Sequence, residues 1–129
     1  MRGRILVTED HEDNRRILRD PLTSAGYQVI EAVTGEEGVQ FAETQRPDLI
    51  LMDVQLPGLD GHEATRRIKS NLALRAIPII AVTSYALSGE DLKAREAGCD
   101  GYVAKPFSPR ALLGKIREYL REGSPGSSS

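Results

Sequence analysis

The chain has 129 residues, enough for one domain with its own hydrophobic core and too few for two domains of ordinary size. Its 17 Lys and Arg residues against 19 Asp and Glu residues give a net charge of −2, so the overall charge does not suggest a nucleic-acid or membrane surface. The single cysteine, Cys99, excludes an intramolecular disulfide bond. No segment approaches the roughly 20 apolar residues of a membrane helix, and the first residues are too short an apolar stretch for a signal peptide. We therefore expect a soluble, cytoplasmic protein.

Short apolar runs alternate with helical patterns along the whole chain. Strands are predicted at 4–8, 27–32, 49–52, 77–82 and 101–104. Each is followed by a predicted helix; the first spans Glu12–Ala25, and the others begin with the capping signals of Thr34, Asp60, Ser88 and Ser108. In the first helix Pro21 should cause a kink or a late start.

This order of elements defines the expected fold class. Five strand–helix units with right-handed crossovers predict an α/β, flavodoxin-like, doubly wound (βα)5 domain, with a five-stranded parallel sheet in the order 2-1-3-4-5. We expect the domain to span residues 1–121. Residues 122–129, rich in Gly and Ser, are expected to form a flexible tail or linker.

Polar residues follow four of these strands at the point where each one ends. The run 49–52 has no polar alternation, so it predicts a strand covered on both faces, with Asp53 at its carboxyl edge. Glu9 and Asp10 follow the first strand, Thr83 the fourth and Lys105 the fifth. Because the carboxyl ends of parallel strands share one edge of the sheet, these side chains should meet in one crevice.

The chemistry of that crevice points to a metal and a phosphoryl group. Three neighbouring carboxylates repel one another and require a cation, and oxygen ligands are those that Mg²⁺ prefers. Asp53 is then a candidate nucleophile, Lys105 a positive charge for a phosphoryl oxygen, and Thr83 a hydroxyl donor. Phosphoryl transfer depends mainly on positioning and charge neutralisation, which this set supplies without a general base.

Four motifs carry a resemblance to a known family: Ile5-Leu-Val-Thr-Glu-Asp10, Leu51-Met-Asp-Val-Gln-Leu-Pro-Gly-Leu-Asp-Gly61, Ala81-Val-Thr-Ser84 and Tyr102-Val-Ala-Lys-Pro-Phe107. They resemble the response-regulator receiver domain of two-component signalling. The resemblance spans residues 4 to about 121. The sequences Thr-Ser-Tyr-Ala and Gly-Cys-Asp-Gly-Tyr are most similar to stand-alone cell-division-type receivers and receivers of hybrid kinases.

The resemblance implies specific roles for the site residues. Asp53 would accept a phosphoryl group from a histidine kinase or a histidine phosphotransfer protein. Mg²⁺ would be held by Asp10, Asp53 and the backbone carbonyl of Gln55, with Glu9 acting through water. Thr83 and Tyr102 would form the switch pair, in which the hydroxyl moves to the phosphate and the aromatic ring turns inward.

Three positions should tune the lifetime of the acyl phosphate: Gln55, Ser84 and Tyr85. Ser84 stands where the family commonly has Ala, and Tyr85 is bulky. The resemblance also implies that the output is a face formed by helix 4, strand 5 and helix 5, read by a downstream protein partner. The domain would be a monomer or a weak, phosphorylation-dependent dimer, binding neither nucleic acid nor membrane.

Other functions remain as alternatives. A phosphatase with an aspartate nucleophile would have an Asp-x-Asp motif, whereas Gln55 stands two residues after Asp53, so we expect no turnover of an external substrate. A pseudo-receiver would bind partners without chemistry, yet all the acids are present. A flavodoxin would need a less acidic phosphate loop after the first strand.

Several further residues have ordinary structural explanations. We expect His11 and His62 to be isolated surface histidines and Cys99 to be a partly buried filler. Arg15 and Arg16 are most simply a solvated helix face, with an acidic partner as the alternative.

Overall fold

The computed structural model describes residues 3–56, 58–83 and 95–120. The strands are β1 (Arg4–Thr8), β2 (Gln28–Ala32), β3 (Leu49–Asp53), β4 (Ile79–Thr83) and β5 (Gly101–Ala104). The helices are α1 (Glu12–Ser24), α2 (Gly35–Gln45), α3 (Gly61–Ser70), α4 (helical residues 95–97) and α5 (Pro109–Tyr119). The earlier part of the predicted fourth helix and the predicted tail lie outside these ranges.

The sheet confirms the predicted topology. Its five strands are parallel and lie in the order β2-β1-β3-β4-β5, so the chain reverses direction across the sheet between β1 and β3. In open sheets of this kind, the carboxyl ends of the strands at the reversal form the binding crevice. The fold therefore gathers the polar strand ends at one edge.

The core consists of two layers, one on each side of the sheet. The β1 residues Ile5 and Val7 belong to the layer that packs on α1 and α5, whereas Leu6 belongs to the layer that packs on α2 and α3. All five residues of β3 are buried, which explains why its sequence shows no polar alternation. Asp53 is consequently held at the end of one of the most buried strands.

One predicted element boundary was wrong, and one of the two effects expected of Pro21 is absent. Helix α1 begins at Glu12, as predicted, so Pro21 does not cause a late start; the helix continues past it, with the Ala25 amide donating to the Pro21 carbonyl at 3.1 Å. Strand β4 begins at Ile79 and not at Ile77. The Ile77 amide donates back to Leu74 at 2.9 Å, so Ile77 belongs to the preceding turn.

Lys69 connects the chain segments that lead into β4 and β5. Its Nζ donates to the carbonyls of Arg75 (3.0 Å) and Ile77 (2.9 Å) and to Oδ2 of Asp100 (2.8 Å). The same Asp100 oxygen accepts the Ile79 amide at 2.8 Å. We expect Lys69→Met to lower the free energy of unfolding by about 2 kcal/mol, measured by urea denaturation, because charged hydrogen bonds are lost and Asp100 loses its cation.

Lys115→Met is the matched control. Lys115 makes an ion pair, at 3.6 Å, with the more exposed carboxylate of Glu118 on the same helix. Such surface pairs contribute roughly 0–1 kcal/mol, so this variant should unfold close to the wild type. Equal destabilisation by the two substitutions would contradict the anchoring role of Lys69.

No helix within the described part of the chain is long and apolar enough to cross a bilayer.

Candidate functional site

Glu9, Asp53 and Lys105 meet at the carboxyl edge of the sheet. Glu9 directly follows β1 and is fully buried, and Asp53 ends β3 with 4 % of its surface exposed. Lys105, just beyond β5, places Nζ 3.4 Å from Oε1 of Glu9 and 3.4 Å from Oδ2 of Asp53. The structure thus brings two buried carboxylates and one ammonium group together from three different strands.

The surroundings of Glu9 disfavour its charged form. Burial raises the pKa of Glu9, and its hydrogen bond and Coulombic interaction with Asp53 raise it further. The His11 amide and Lys105 act in the opposite direction but do not outweigh these effects, so the pKa of Glu9 stays above its ordinary value. An additional cation at this edge would favour the charged form of Glu9.

The β1–α1 turn adds Asp10 and His11 to the same cluster. The His11 amide donates to Oε2 of Glu9 at 3.1 Å, and its Nδ1 lies 3.3 Å from Oδ1 of Asp10. Ligand atoms of these three residues all lie within 4.8 Å of one another. The prediction of an exposed His11 is correct, since its side chain is 72 % exposed, but the expectation that it is isolated was wrong.

The turn after β3 holds Asp53 in place. Its Oδ1 accepts the backbone amide of Gln55 at 2.9 Å, which fixes one carboxylate oxygen and leaves the other facing Lys105. The side chain of Gln55 is exposed. Helix α3 then starts with Asp60 as N-cap, whose side chain accepts the Glu63 amide, as its sequence predicts.

Thr83 and Tyr102 occupy neighbouring strands near this cluster. Thr83 ends β4, is 1 % exposed, and its carbonyl accepts the Lys105 amide at 2.7 Å. Tyr102 is partly buried and packs with Val54 and Ala81. Ser84 and Tyr85, predicted to tune the site, lie outside the described residues.

Arg15 was expected to flank the crevice as a solvated residue, and its contacts with the acidic turn were not predicted from the sequence. Only 13 % of its side chain is exposed, so the expectation of a solvated Arg15 was wrong, whereas Arg16 is exposed as expected. Helical periodicity carries the missing signal, because Arg15 lies three and seven residues before the buried Leu18 and Leu22 and therefore shares their face.

Comparison with known proteins assigns the fold and site to a family. Residues 5–117 match the response regulator receiver domain. The chain belongs to this family. It is 40 % identical over 116 residues to the polar-differentiation response regulator DivK of Brucella anthropi, covering 90 % of this chain and 94 % of DivK.

Solved structures agree with this membership. The receiver domain of the sensor histidine kinase PA1611 from Pseudomonas aeruginosa is 38 % identical, with a TM-score of 0.89 over 95 % of this chain and all of that one. That structure has a magnesium ion coordinated in its active-site cleft. The chemotaxis protein CheY4 of Vibrio cholerae has a TM-score of 0.87 at 27 % identity, covering 93 % of this chain and 100 % of CheY4.

The family assignment confirms the predicted function at the level of the domain. This receiver domain has a phosphoacceptor signalling role in two-component systems. Its similarity to DivK and to the receiver of a kinase also agrees with the resemblance inferred from the Thr-Ser-Tyr-Ala and Gly-Cys-Asp-Gly-Tyr sequences.

Proposed function

We propose that Asp53 is the phosphoacceptor, receiving a phosphoryl group from a phosphohistidine of a histidine kinase or histidine phosphotransfer protein in a Mg²⁺-dependent reaction. The observation that carries this proposal is the position of its carboxylate. It ends a fully buried strand, has one oxygen fixed by the Gln55 amide, and has the other 3.4 Å from the Lys105 ammonium.

The oxygen atoms around Asp53 suit a hard divalent cation. Oδ1 of Asp10 is buried and accepts no hydrogen bond among the described residues, and Glu9 is buried beside Asp53 with a raised pKa. Mg²⁺ prefers such carboxylate and carbonyl oxygens together with water. We assign Asp10, Asp53 and the Gln55 carbonyl as direct ligands and Glu9 as a ligand through water.

Residues of this chain have separate roles in the transfer of the phosphoryl group. A carboxylate oxygen of Asp53 forms a bond to phosphorus while the phosphorus–nitrogen bond of the phosphohistidine breaks, and its electron pair stays on the imidazole nitrogen. A carboxylate nucleophile carries no proton, so no base has to remove one. Lys105 pairs with a phosphoryl oxygen and the Thr83 hydroxyl donates to another, and Mg²⁺ held by the acidic residues would supply charge neutralisation.

The output is a shift between two pre-existing states. Contacts from the phosphoryl group to Thr83 and Lys105 favour the state in which Tyr102 turns inward. The face of α4, β5 and α5 then changes its affinity for a downstream protein partner, in a monomer or weak dimer. Gln55, Ser84 and Tyr85 set how long the acyl phosphate survives, and no external substrate is turned over.

The test of this function uses acetyl phosphate as the phosphodonor and intact-protein mass spectrometry as the readout. Wild-type protein should gain one phosphoryl group in the presence of Mg²⁺ and none when EDTA removes the metal, because charge neutralisation is then lost. No adduct under either condition would overturn the proposal and favour a pseudo-receiver that binds partners without phosphorylation.

Lys105→Ala should separate metal binding from switching. Mg²⁺ binding should be retained, because the substitution removes a cation that repels the metal. The amide chemical-shift changes that phosphorylation causes along β5 should become much smaller, because the phosphoryl group loses its ammonium partner.

Lys115→Ala, which removes an ammonium group from α5, is the control and should switch as the wild type does. Unchanged switching in Lys105→Ala would contradict the role assigned to Lys105.

A further inference from the structure

Arg15 connects the acidic turn to the body of the domain. Its Nη1 donates to the backbone carbonyl of Glu9 at 3.1 Å and, at the longer distance of 3.5 Å, to that of Asp10. Its Nε donates to Oε1 of Glu31 at 3.0 Å, and its Nη2 pairs with Glu12. One guanidinium group therefore contacts a carboxylate on β2 and the backbone carbonyls of the two acidic residues in the turn.

Glu31 is a firm anchor for this guanidinium group. Nη1 of Arg19 donates to both of its carboxylate oxygens, at 3.0 and 3.1 Å, from the next turn of α1. Burial opposes the charged form of Glu31, yet the hydrogen bonds from Arg19 and Arg15 outweigh it, so its pKa lies below the ordinary value. Glu31 thus stays charged at neutral pH and holds Arg15 in place.

Within the described residues, few other hydrogen bonds connect the turn to the rest of the domain on this side, since the bond from the His11 amide to Glu9 lies within the turn itself. His11, the N-cap of α1, makes no side-chain capping hydrogen bond, in contrast to Thr34, Asp60 and Ser108 at the other helices. The Glu9 amide does donate to the Ala32 carbonyl at 3.0 Å, which fixes only the first residue of the turn. Arg15, which lies inside α1, restrains the β1–α1 turn in place of the capping side chain that normally does so at a helix start.

We propose that Arg15 is a positioning residue, anchored by Glu31, that fixes the β1–α1 turn so that the carboxylates of Glu9 and Asp10 face the metal site. The inference rests on the proposed function only in identifying that site as one for Mg²⁺. Groups that orient metal ligands typically change metal affinity 10- to 100-fold when they are removed.

A purely electrostatic role and a positioning role for Arg15 predict opposite changes in Mg²⁺ affinity when the residue is replaced. Arg15 is a cation beside a cation site, so losing its charge alone would tighten Mg²⁺ binding. If Arg15 positions the ligands, losing it weakens Mg²⁺ binding instead. The sign of the change therefore distinguishes the two roles.

The experiment is a Mg²⁺ titration followed by NMR on the unphosphorylated protein. Arg15→Gln should weaken Mg²⁺ binding about tenfold. Arg15→Lys keeps the charge but lacks the planar fork, and should still weaken binding about threefold. This second variant also covers the case in which Arg15→Gln does not fold.

A matched control loses the same charge on the same helix. Arg16 is exposed. Arg16→Gln should leave Mg²⁺ affinity unchanged or slightly tighter. Unchanged or tighter binding in both Arg15 variants, or equal weakening in the control, would overturn the inference.

A second measurement needs no metal. The His11 amide is bonded to the Glu9 carboxylate, so its hydrogen exchange reports the order of the turn. Exchange should be about tenfold faster in Arg15→Gln than in wild type or Arg16→Gln, because the turn opens more often. Failure of the wild type to bind Mg²⁺ would overturn the proposed function alone, whereas unchanged exchange would overturn the role of Arg15.

Discussion

Asp53→Asn should abolish phosphorylation by acetyl phosphate, lowering its rate by a factor on the order of 10³ or more, as expected when a nucleophile is removed. The side-chain amide has nearly the same shape but no charged oxygen to attack phosphorus. It should still accept the Gln55 amide through its remaining oxygen, as Oδ1 of Asp53 does at 2.9 Å. Mass spectrometry of the intact protein measures the loss directly.

The stability of this variant separates chemistry from folding. Asp53 raises the pKa of Glu9 and so disfavours its charged form, and the Coulombic part of that effect disappears in Asp53→Asn. The variant should therefore be at least as resistant to urea as the wild type. Asp20→Asn, at a 64 % exposed carboxylate on α1, should be phosphorylated normally. An adduct on Asp53→Asn equal to that on the wild type would assign the phosphoryl group to another residue.

The fold and the identity of the residues that meet in the site were largely predictable, because both follow from the order of the strands. An apolar run without polar alternation marks a doubly covered strand, and β3 is buried at every residue. Parallel strands must end at one edge, so the sequence alone predicted that Glu9, Asp53 and Lys105 would meet. In the structure Nζ of Lys105 lies 3.4 Å from a carboxylate oxygen of each acid, as that prediction requires.

The parts that sequence reasoning missed depend on the placement of individual side chains. Whether Arg15 points to solvent or into the acidic turn depends on how α1 rotates against β2, which is set by the packing of Leu18 and Leu22. The contact of His11 with Asp10 likewise arises from a helix start without a capping side chain. Helical periodicity indicates the face on which Arg15 lies, but the particular hydrogen-bond partners of Arg15 and His11 cannot be deduced from residue type and spacing.

Two glycines, Gly35 and Gly61, lie against the backbone of the β3–α3 turn so closely that neither position has room for a side chain. A Cβ atom on Gly35, the first residue of α2, would lie 2.1 Å from the Leu59 carbonyl oxygen. A Cβ atom on Gly61, the first residue of α3, would lie 2.0 Å from the Asp53 carbonyl oxygen and 2.7 Å from the Val54 Cα. The turn that carries Asp53 is therefore confined between two helix starts that have no room for a side chain.

Gly61→Ala should be the most destabilising of the substitutions considered. The added methyl group overlaps backbone atoms, which cannot move aside as a flexible side chain can, so either α3 or the end of β3 must shift. We expect a loss of about 3 kcal/mol in the free energy of unfolding, at the upper end for overpacking. Phosphorylation of the folded fraction should also slow, because Asp53 moves relative to Lys105. Urea denaturation and the acetyl phosphate assay measure the two effects.

Gly114→Ala is a control for which the same chemical change should have the opposite sign. Gly114 lies inside α5, and a Cβ atom there would meet nothing within 4 Å. Because alanine is favoured over glycine in a helix interior, this variant should gain roughly 0.5–1 kcal/mol. If both substitutions stabilise the protein, the end of β3 and the start of α3 are not tightly joined, and the backbone of Asp53 is not held by that contact. Opposite signs would show that the stability of the domain depends on this close approach beside Asp53, at a residue that contributes no chemical group to the proposed site.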